Sequence, residues 1–287
     1  MKRRGIVYLL PSLLGMAVLY LVPIVYTLLL SFVSGGKLGI ENYRELFQTE
    51  AFRRASVNTI RFMLLAIPLQ LLFGLHMAQG LDQQARMRGE KWNLSMALLL
   101  LPLIVPSGSV ATFFQIIFAE NGVINGLLVT CGISPVSWFE SGWSIVVLLL
   151  FYLWKNTPYS MIVLTVGMRA IPQDVLSAAY LDGCNEMRLL LRIKLPLLLP
   201  HFFFSILFGV LSVFRVFRQS YLLFGDYPHD SVYMIQNFLN NNFARFNVQR
   251  LSAAAIVILS ILFFALCLLY LLLSRRSPKN SRKGGAK

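Results

Sequence analysis

A polar segment at residues 171–200, set between two strongly apolar runs, carries the residues whose types and spacing point to protein docking. Asp174 lies where a helix would start, since a negative charge is favoured in the first turn. Gly183 can take the left-handed conformation that ends a helix, and Asn185 can cap the next one. Pro196 should stop or kink that second helix. The sequence therefore predicts helix, glycine elbow, helix.

Two adjacent alanines, Ala178 and Ala179, lie in the first of these helices, within what we call the elbow segment (residues 170–196). Because alanine presents almost no side chain, another protein could approach the backbone closely at this point. The elbow segment is therefore a candidate docking element.

Ionisable groups that could drive ion-coupled transport are scarce in the apolar runs. All twelve acidic residues fall in loops, whereas proton-driven transporters usually need an acid at membrane depth. Lys155 is the clear charge in the middle of a run, while Arg61, Arg215 and Arg218 lie near expected outer ends and can snorkel. Lys155 has two interpretations: it lines a hydrated path and bonds a polar solute, or it is a structural cation paired with a backbone carbonyl at a Pro158 kink.

Nucleotide and metal chemistry find little support in the chain. The phosphate-binding pattern G-x-x-x-x-G-K-[ST] is absent, and the nearest fragment, at residues 35–37, lacks the first glycine. Cysteine and histidine residues are scattered: Cys131, Cys184, Cys267, His76, His201 and His229. We expect no cofactor, no metal site and no disulfide framework, so any ATP used would bind a different polypeptide.

The composition places the chain in a bilayer, because 57% of its 287 residues are hydrophobic and only 13% are charged. Six runs are long enough to cross roughly 30 Å of hydrocarbon as helices: residues 6–32, 57–79, 94–118, 143–167, 197–217 and 251–273. Prolines within the runs predict kinks: Pro23, Pro68, Pro106 and Pro158. We predict an all-α membrane protein of six transmembrane helices, with one membrane domain (residues 1–273) and a basic tail (residues 274–287).

The orientation follows from lysine and arginine, which accumulate in cytoplasmic segments. Sixteen of them lie in residues 1–5, 80–93, 168–196 and 274–287, against six in residues 33–56, 119–142 and 219–250. Both termini and the elbow segment are therefore predicted to be cytoplasmic.

A signal peptide at the amino terminus and a nucleic-acid partner for the positive charge both fit the sequence poorly. Residues 6–32 are uncharged and much longer than the roughly 7–15 apolar residues of a signal peptide, so they predict a spanning helix. The net charge of +14 is spread among loops rather than gathered in one stripe, which disfavours nucleic acid as a partner and favours anionic lipid. We expect the basic tail to be mobile at the membrane surface.

The elbow segment resembles the signature cytoplasmic loop of permease subunits in binding-protein-dependent ABC importers, especially the maltose, glycerol-phosphate and multiple-sugar family. The family pattern is roughly I-P-x-x-L-x-E-A-A-x-x-D-G-A, followed further along by L-P. Matching residues are Ile171, Pro172, Ala178, Ala179, Asp182, Gly183, Leu195 and Pro196. Ser177 stands where the family usually has glutamate, and Cys184 where it usually has alanine.

Shorter fragments in the same order extend the resemblance over nearly all of the membrane domain: Asn42-Tyr43, Asn58-Thr59, Pro102 with Pro106, Gly122 with Asn125, and Trp154-Lys155. The chain departs from the sugar permeases at residues 221–228 and 250–254. Two outer segments also have open interpretations. Residues 225–250 either touch an extracellular binding protein or cover the helix bundle, and residues 40–52 have the spacing of a helix lying in the membrane interface.

The resemblance implies a non-enzymatic permease subunit that forms half of a translocation path, with a sugar or oligosaccharide as the expected solute. The implied partners are two copies of a cytoplasmic ATP-binding subunit, a second homologous permease, an extracellular solute-binding protein and the lipid bilayer. The implied location is a bacterial inner membrane, and the implied ATPase-docking residues are Ser177, Ala178, Ala179, Asp182, Gly183 and Pro196.

Two classes of function remain as alternatives. One is an ion-driven secondary transporter, which the lack of acids at membrane depth disfavours. The other is a membrane-embedded assembly or receptor subunit that has no transport path.

Overall fold

Helices account for almost all of the regular structure in a computed structural model, which describes residues 2–88, 93–244 and 248–274. The helices in chain order are α1 (Lys2–Met16), α2 (Val22–Ser31), α3 (Glu41–Gln48), α4 (Glu50–Arg88), α5 (Asn93–Ile104), α6 (Ser107–Ile117), α7 (Val123–Thr130), α8 (Ser144–Arg169), α9 (Gln173–Leu181), α10 (Glu186–Leu189), α11 (Leu195–Leu197), α12 (Leu199–Phe214), α13 (Phe217–Phe224), α14 (Ile235–Ala244) and α15 (Val248–Ser274). Two π-helical turns, Ala17–Leu21 and Leu190–Lys194, join α1 to α2 and α10 to α11.

A two-stranded hairpin interrupts the helices after α2. Strand β1 (Val33–Ser34) pairs antiparallel with β2 (Lys37–Leu38). Gly35 and Gly36 form the turn with φ of 57° and 78°, the positive angles that such a two-residue turn requires. The fragment nearest to a phosphate loop is therefore a hairpin turn.

Within the described residues, four stretches are long and apolar enough to cross a membrane: Leu9–Ser31, Glu50–Arg86, Ser144–Arg169 and Val248–Cys267. Two bent helix pairs raise the number to six if each pair is one span. These six elements correspond to the six predicted runs, so the predicted fold class is confirmed.

The third predicted span is not one continuous helix. Helices α5 and α6 meet at an angle of 88°, and Pro106 lies between them with extended backbone (φ −60°, ψ 136°). Proline has no N–H for the preceding helical turn and disfavours helical backbone at the residue before it, Val105. Pro106 therefore breaks the helix, whereas α4 and α8 continue through Pro68 and Pro158.

At the start of the fifth predicted span the chain bends at Leu198, two residues after Pro196, where we predicted a stop or kink. The segments Glu186–Leu197 and Leu199–Phe214 form an angle of 72°. Pro196 lies inside a helical turn that follows the π-helical turn Leu190–Lys194, while Pro200 occupies the first turn of α12. Because proline is accommodated best in a first turn, the new helix starts just before Pro200.

The chain divides into two units by its contacts, one of residues up to Ser56 with Met234–Ala265, and the other of Val57–Tyr233 with the chain from Leu266. In the first unit, the buried Asn42 amide donates to the carbonyls of Ser31 and Val33 at 3.0 and 2.8 Å. Phe52 and Phe238 pack edge to face with ring centroids 5.3 Å apart.

The second unit is held together by close helix contacts at small residues. A Cβ added at Gly74 of α4 would lie 2.8 Å from the Ser160 Cβ of α8, and one at Gly167 would lie 2.6 Å from the His201 ring of α12. Small residues allow membrane helices to approach each other this closely. A buried cluster beside them contains Ala78, Leu164, Met168 and Leu198.

The predicted domain boundary falls at the end of α15, which ends at Ser274. The remainder of the predicted basic tail, residues 275–287, lies outside the described residues.

Candidate functional site

The first arm of the elbow segment is helix α9, which begins after Pro172 and carries Asp174 in its first turn, as predicted. Leu176 and Ala179 are buried in an apolar cluster with Ile171 and Leu189. This cluster fixes α9 against the start of the second arm.

The elbow itself is a Schellman motif, in which two backbone N–H groups bond back to the end of α9. The Gly183 N–H donates to the Tyr180 carbonyl and the Cys184 N–H to the Ala179 carbonyl, both at 3.0 Å. Gly183 has a φ of 76°, which glycine adopts without a steric penalty. Cys184 packs against the apolar cluster that contains Ala179, the contact that usually accompanies this motif.

The second arm starts at Asn185, whose side-chain Oδ1 accepts from the Arg188 N–H at 2.8 Å. This bond is an N-terminal cap, and it satisfies one of the free donors at the start of α10. The two arms are also linked through the Tyr180 hydroxyl and the Glu186 carboxylate, which share a short hydrogen bond. That bond, more than any other cause, raises the pKa of Tyr180.

The predicted docking residues divide between the surface and the interior. Ser177, Ala178, Asp182, Gly183 and Pro196 are exposed, whereas Ala179 is buried. The alanine pair therefore does not form one small surface, because successive helical residues point in different directions and Ala179 faces the cluster. Large apolar side chains are exposed on both arms: Val175 and Leu181, each three residues from Ala178 on α9, and Met187 on α10.

A buried ion pair joins the elbow segment to α4. The Lys194 Nζ lies 3.0 Å from the Asp82 Oδ2, and the two side chains are only 7% and 6% exposed. Arg86, one turn further along α4, is 3.1 Å from the same oxygen and is 25% exposed. The prediction that all acidic residues lie in loops is wrong: Asp82 and Glu50 belong to α4, which extends beyond the predicted run at both ends. Four further acidic residues lie in shorter α-helices outside the candidate spans Leu9–Ser31, Glu50–Arg86, Ser144–Arg169 and Val248–Cys267: Glu41, Glu45, Asp174 and Glu186.

Lys155 lies on α8 and stabilises the break between α5 and α6 in the third span. Its Nζ donates to the carbonyls of Pro102 and Val105 at 2.7 and 2.5 Å, the free acceptors at the end of α5. This geometry favours the structural interpretation, although the bonded carbonyls lie at the end of α5 and in the residue after it, and not at a kink at Pro158. The ammonium satisfies acceptors that the bend at Pro106 leaves open.

A buried polar network that the sequence did not predict ties three helices of the second unit. The Tyr152 hydroxyl donates to the Gln70 Oε1 at 2.7 Å, and the Gly209 carbonyl oxygen lies 3.2 Å away as an alternative acceptor for the same proton. The Gln70 Nε2 in turn donates to the Ser160 Oγ at 2.8 Å. The signal that could have indicated it was a glutamine and a tyrosine inside otherwise apolar runs.

Two asparagines, Asn58 and Asn125, lie in fragments that resemble the permease family, and both bind loops that are predicted to be extracellular. The Asn58 amide donates to the carbonyls of Asp230 and Tyr233 at 2.6 and 3.0 Å. Asn125 is almost fully buried, and its Oδ1 accepts from the Val136 N–H and the Trp138 Nε1, both at 3.0 Å. An aromatic-lined cavity of about 390 Å³ lies nearby, between Phe139, Phe224 and Tyr227.

Comparison with known proteins adds a family and a fold. Residues 6–278 match the family described as binding-protein-dependent transport system inner membrane component. The chain is 27% identical to the sulfoquinovosyl glycerol transport system permease protein SmoG of Agrobacterium fabrum over 83% of its length and 77% of the relative's. It is also 27% identical to the trehalose/maltose transport system permease protein MalF of Thermococcus litoralis, over 83% and 80%.

Among solved structures, a chain of a bacterial ABC transporter involved in the import of the acidic polysaccharide alginate superposes with a TM-score of 0.82. The identity is 20%, and the match covers 97% of this chain and 98% of the other. The fold is therefore that of an ABC importer permease.

Proposed function

Because the chain belongs to the family of binding-protein-dependent transport system inner membrane components, we propose that it is a permease subunit that forms half of the translocation path of an ABC importer. The family match and the four to six candidate spans among the described residues make it a multi-pass membrane protein of transport type. The path, the partners and the energy source are parts of the proposal.

The observation that supports coupling of this chain to ATP hydrolysis is the preformed elbow. Its Schellman turn at Gly183 and its cap at Asn185 fix the angle between α9 and α10 without help from another chain. The exposed face next to Ala178, with Leu181 89% exposed, supplies apolar area for a partner. We assign this face to the groove of a cytoplasmic ATP-binding subunit, with Ser177 in the place of the usual glutamate.

The proposed partners follow from what the chain lacks and from its family. The sequence has no phosphate-binding loop, so ATP is hydrolysed on separate subunits, of which two copies dock. A second, homologous permease completes the path. A binding protein delivers the solute, and the description of the family as binding-protein-dependent supports this part.

A sugar or oligosaccharide is the proposed solute. The relatives support this solute class, because they include transport system permeases for sulfoquinovosyl glycerol and for trehalose and maltose. The proposed location is a bacterial inner membrane, and the excess of lysine and arginine in the segments predicted to be cytoplasmic, sixteen against six, supports cytoplasmic termini.

Co-purification tests the proposal directly. A tagged copy of the chain, extracted from its native membrane, should bring down a second permease in equal amount and an ATPase subunit in twofold amount. In proteoliposomes, ATP hydrolysis should rise when the binding protein encoded beside the chain is added with a sugar that shifts its melting temperature. The same binding protein without sugar is the control.

Different outcomes point to the alternative classes of function. Uptake that needs an ion gradient and no ATPase subunit would indicate a secondary transporter. A complex without any uptake or ATP hydrolysis would indicate an assembly subunit.

A further inference from the structure

The second arm of the elbow segment enters the helix bundle at Lys194, the last residue of the π-helical turn Leu190–Lys194. On one side of this joint, Leu189 is buried in the elbow cluster with Leu176 and Ala179. On the other side, Leu198 is buried among Ala78, Leu164 and Met168. Lys194 thus occupies the connection between the proposed docking element and the bundle.

The Lys194 ammonium makes one ion pair within the described residues, and its partner Asp82 lies 112 positions earlier on α4. Asp82 has a second cation, Arg86, on its own helix. Neutralising Asp82 would therefore leave a buried ammonium unpaired, whereas removing Arg86 would leave the Asp82–Lys194 pair intact. Breaking a buried pair from one side carries a large penalty, so the two helices are strongly constrained to stay together at this point.

A cavity of about 220 Å³ lies between α4 and the elbow segment, lined by residues that include His76, Gln79, Tyr180 and Glu186 as well as the ion pair. Around the cavity the two elements are separated by open space, so they are not packed together along their whole length. Beside the apolar contact of Leu198 with the cluster that contains Ala78 of α4, the ion pair is a charged link between the elbow segment and α4, and a force on the elbow would reach α4 through it.

We propose that Asp82 and Lys194 are positioning residues that transmit displacement of the elbow segment to α4. The proposal rests on the proposed function, since it requires an ATPase that moves the elbow. It adds a defined route: when the docked ATPase moves α9 and α10, Lys194 pulls or pushes Asp82, and the cytoplasmic end of α4 follows. The pair itself takes no part in binding ATP or solute.

The test follows the motion of α4 and needs no solute. In a complex freed of native cysteine by Cys131→Ser, Cys184→Ser and Cys267→Ser, His76→Cys places a reporter on α4 at the cavity. The rate of its reaction with a maleimide is measured with and without ATP and vanadate, which trap the nucleotide on the co-purified ATPase. The ratio of the two rates should depart from one by at least about fivefold, the low end of typical coupling between sites.

Asp82→Asn and Lys194→Met should each bring this ratio close to one while the ATPase still co-purifies and hydrolyses ATP. Lys194→Arg, which keeps a cation that can reach Asp82, should restore the ratio. Arg86→Gln is the matched control, because it removes the other partner of the same carboxylate, and its ratio should equal that of the reference complex.

The double variant Asp82→Asn with Lys194→Met covers the case in which a single variant fails to assemble, because it leaves no unpaired buried charge. A normal ratio in the double variant, or no response to nucleotide in the reference complex, would overturn the proposal. A chain that brings down no ATPase at all would instead refute the proposed function. The two failures are therefore distinguishable.

Discussion

Gly183 is the residue on which the elbow depends most directly. Its φ of 76° is one that residues with a Cβ rarely adopt, and beyond its two chain neighbours no described atom lies within 4 Å of the position a Cβ would take. The requirement for glycine is therefore a matter of backbone conformation and not of space.

Gly183→Val should uncouple transport from ATP hydrolysis, because a β-branched residue destabilises the left-handed conformation by about 1–2 kcal/mol and the elbow would change its angle. Uptake and ATP hydrolysis are measured on the same proteoliposomes. Gly132→Val is a matched control, since Gly132 has a φ of 77° and equally open surroundings in a different loop. Equal effects of the two variants on coupling would contradict the docking role of the elbow.

Lys155→Met should lower the melting temperature of the complex, because the carbonyls of Pro102 and Val105 lose their donor. Lys155→Arg should largely preserve it. Uptake should fall with the amount of folded complex while the apparent KM for the solute stays constant. A raised KM at an unchanged melting temperature would instead assign Lys155 to the translocation path.

At the scale of elements, Asn125 fixes the course of the loop that follows α6. Its Oδ1 accepts hydrogen bonds from two N–H groups, those of the Val136 backbone and the Trp138 ring. Its Nδ2 lies within hydrogen-bond distance of the carbonyls of Glu120 and Val136, each at 3.0 Å. One buried amide thus joins the segment before α7 to the segment after it.

Asn125→Ala should loosen the loop, because each buried polar group left without a partner costs about 1–3 kcal/mol. We expect faster hydrogen exchange over residues 119–143 and a red shift of the Trp138 fluorescence. Asn125→Asp keeps the acceptor and loses the donors, so its effect should be intermediate. Unchanged exchange in both variants would show that other contacts hold the loop.

The elements also show what the sequence could and could not predict. The straight spans follow from the length of their apolar runs, and the elbow follows from residues that are close together in sequence. A kink at Pro106 follows from the proline itself, but its size of 88° does not, because the carbonyls that the bend leaves open are bonded by Lys155 on α8, which is distant in sequence. The burial of Asp82 depends on Lys194, so local hydropathy gave no reason to extend α4 beyond residue 79.

For the molecule as a whole, the distribution of charge predicts the orientation in the membrane. Two native cysteines can test this prediction. Cys131 is exposed at the end of α7, and Cys184 is half-buried in the elbow. These positions are predicted to lie on opposite sides of the membrane.

A membrane-impermeant maleimide should label Cys131 only from outside and Cys184 only from the cytoplasmic side. The measurement uses right-side-out and inverted vesicles that carry Cys184→Ser with Cys267→Ser, or Cys131→Ser with Cys267→Ser. Vesicles with all three replacements set the background. Labelling of both cysteines from the same side would overturn the predicted topology.

The bond between Lys155 and the end of α5 also bears on how the chain is made. Helix α8 has a mean hydropathy of 1.3, the lowest among the four unbroken candidate spans, and a lysine near the centre of a span opposes insertion by about 2.5–3.5 kcal/mol. The carbonyls that accept from Lys155 belong to the span synthesised just before it. We therefore expect α8 to leave the translocon poorly as a single segment and efficiently when the α5–α6 pair precedes it, so that the two insert as one unit.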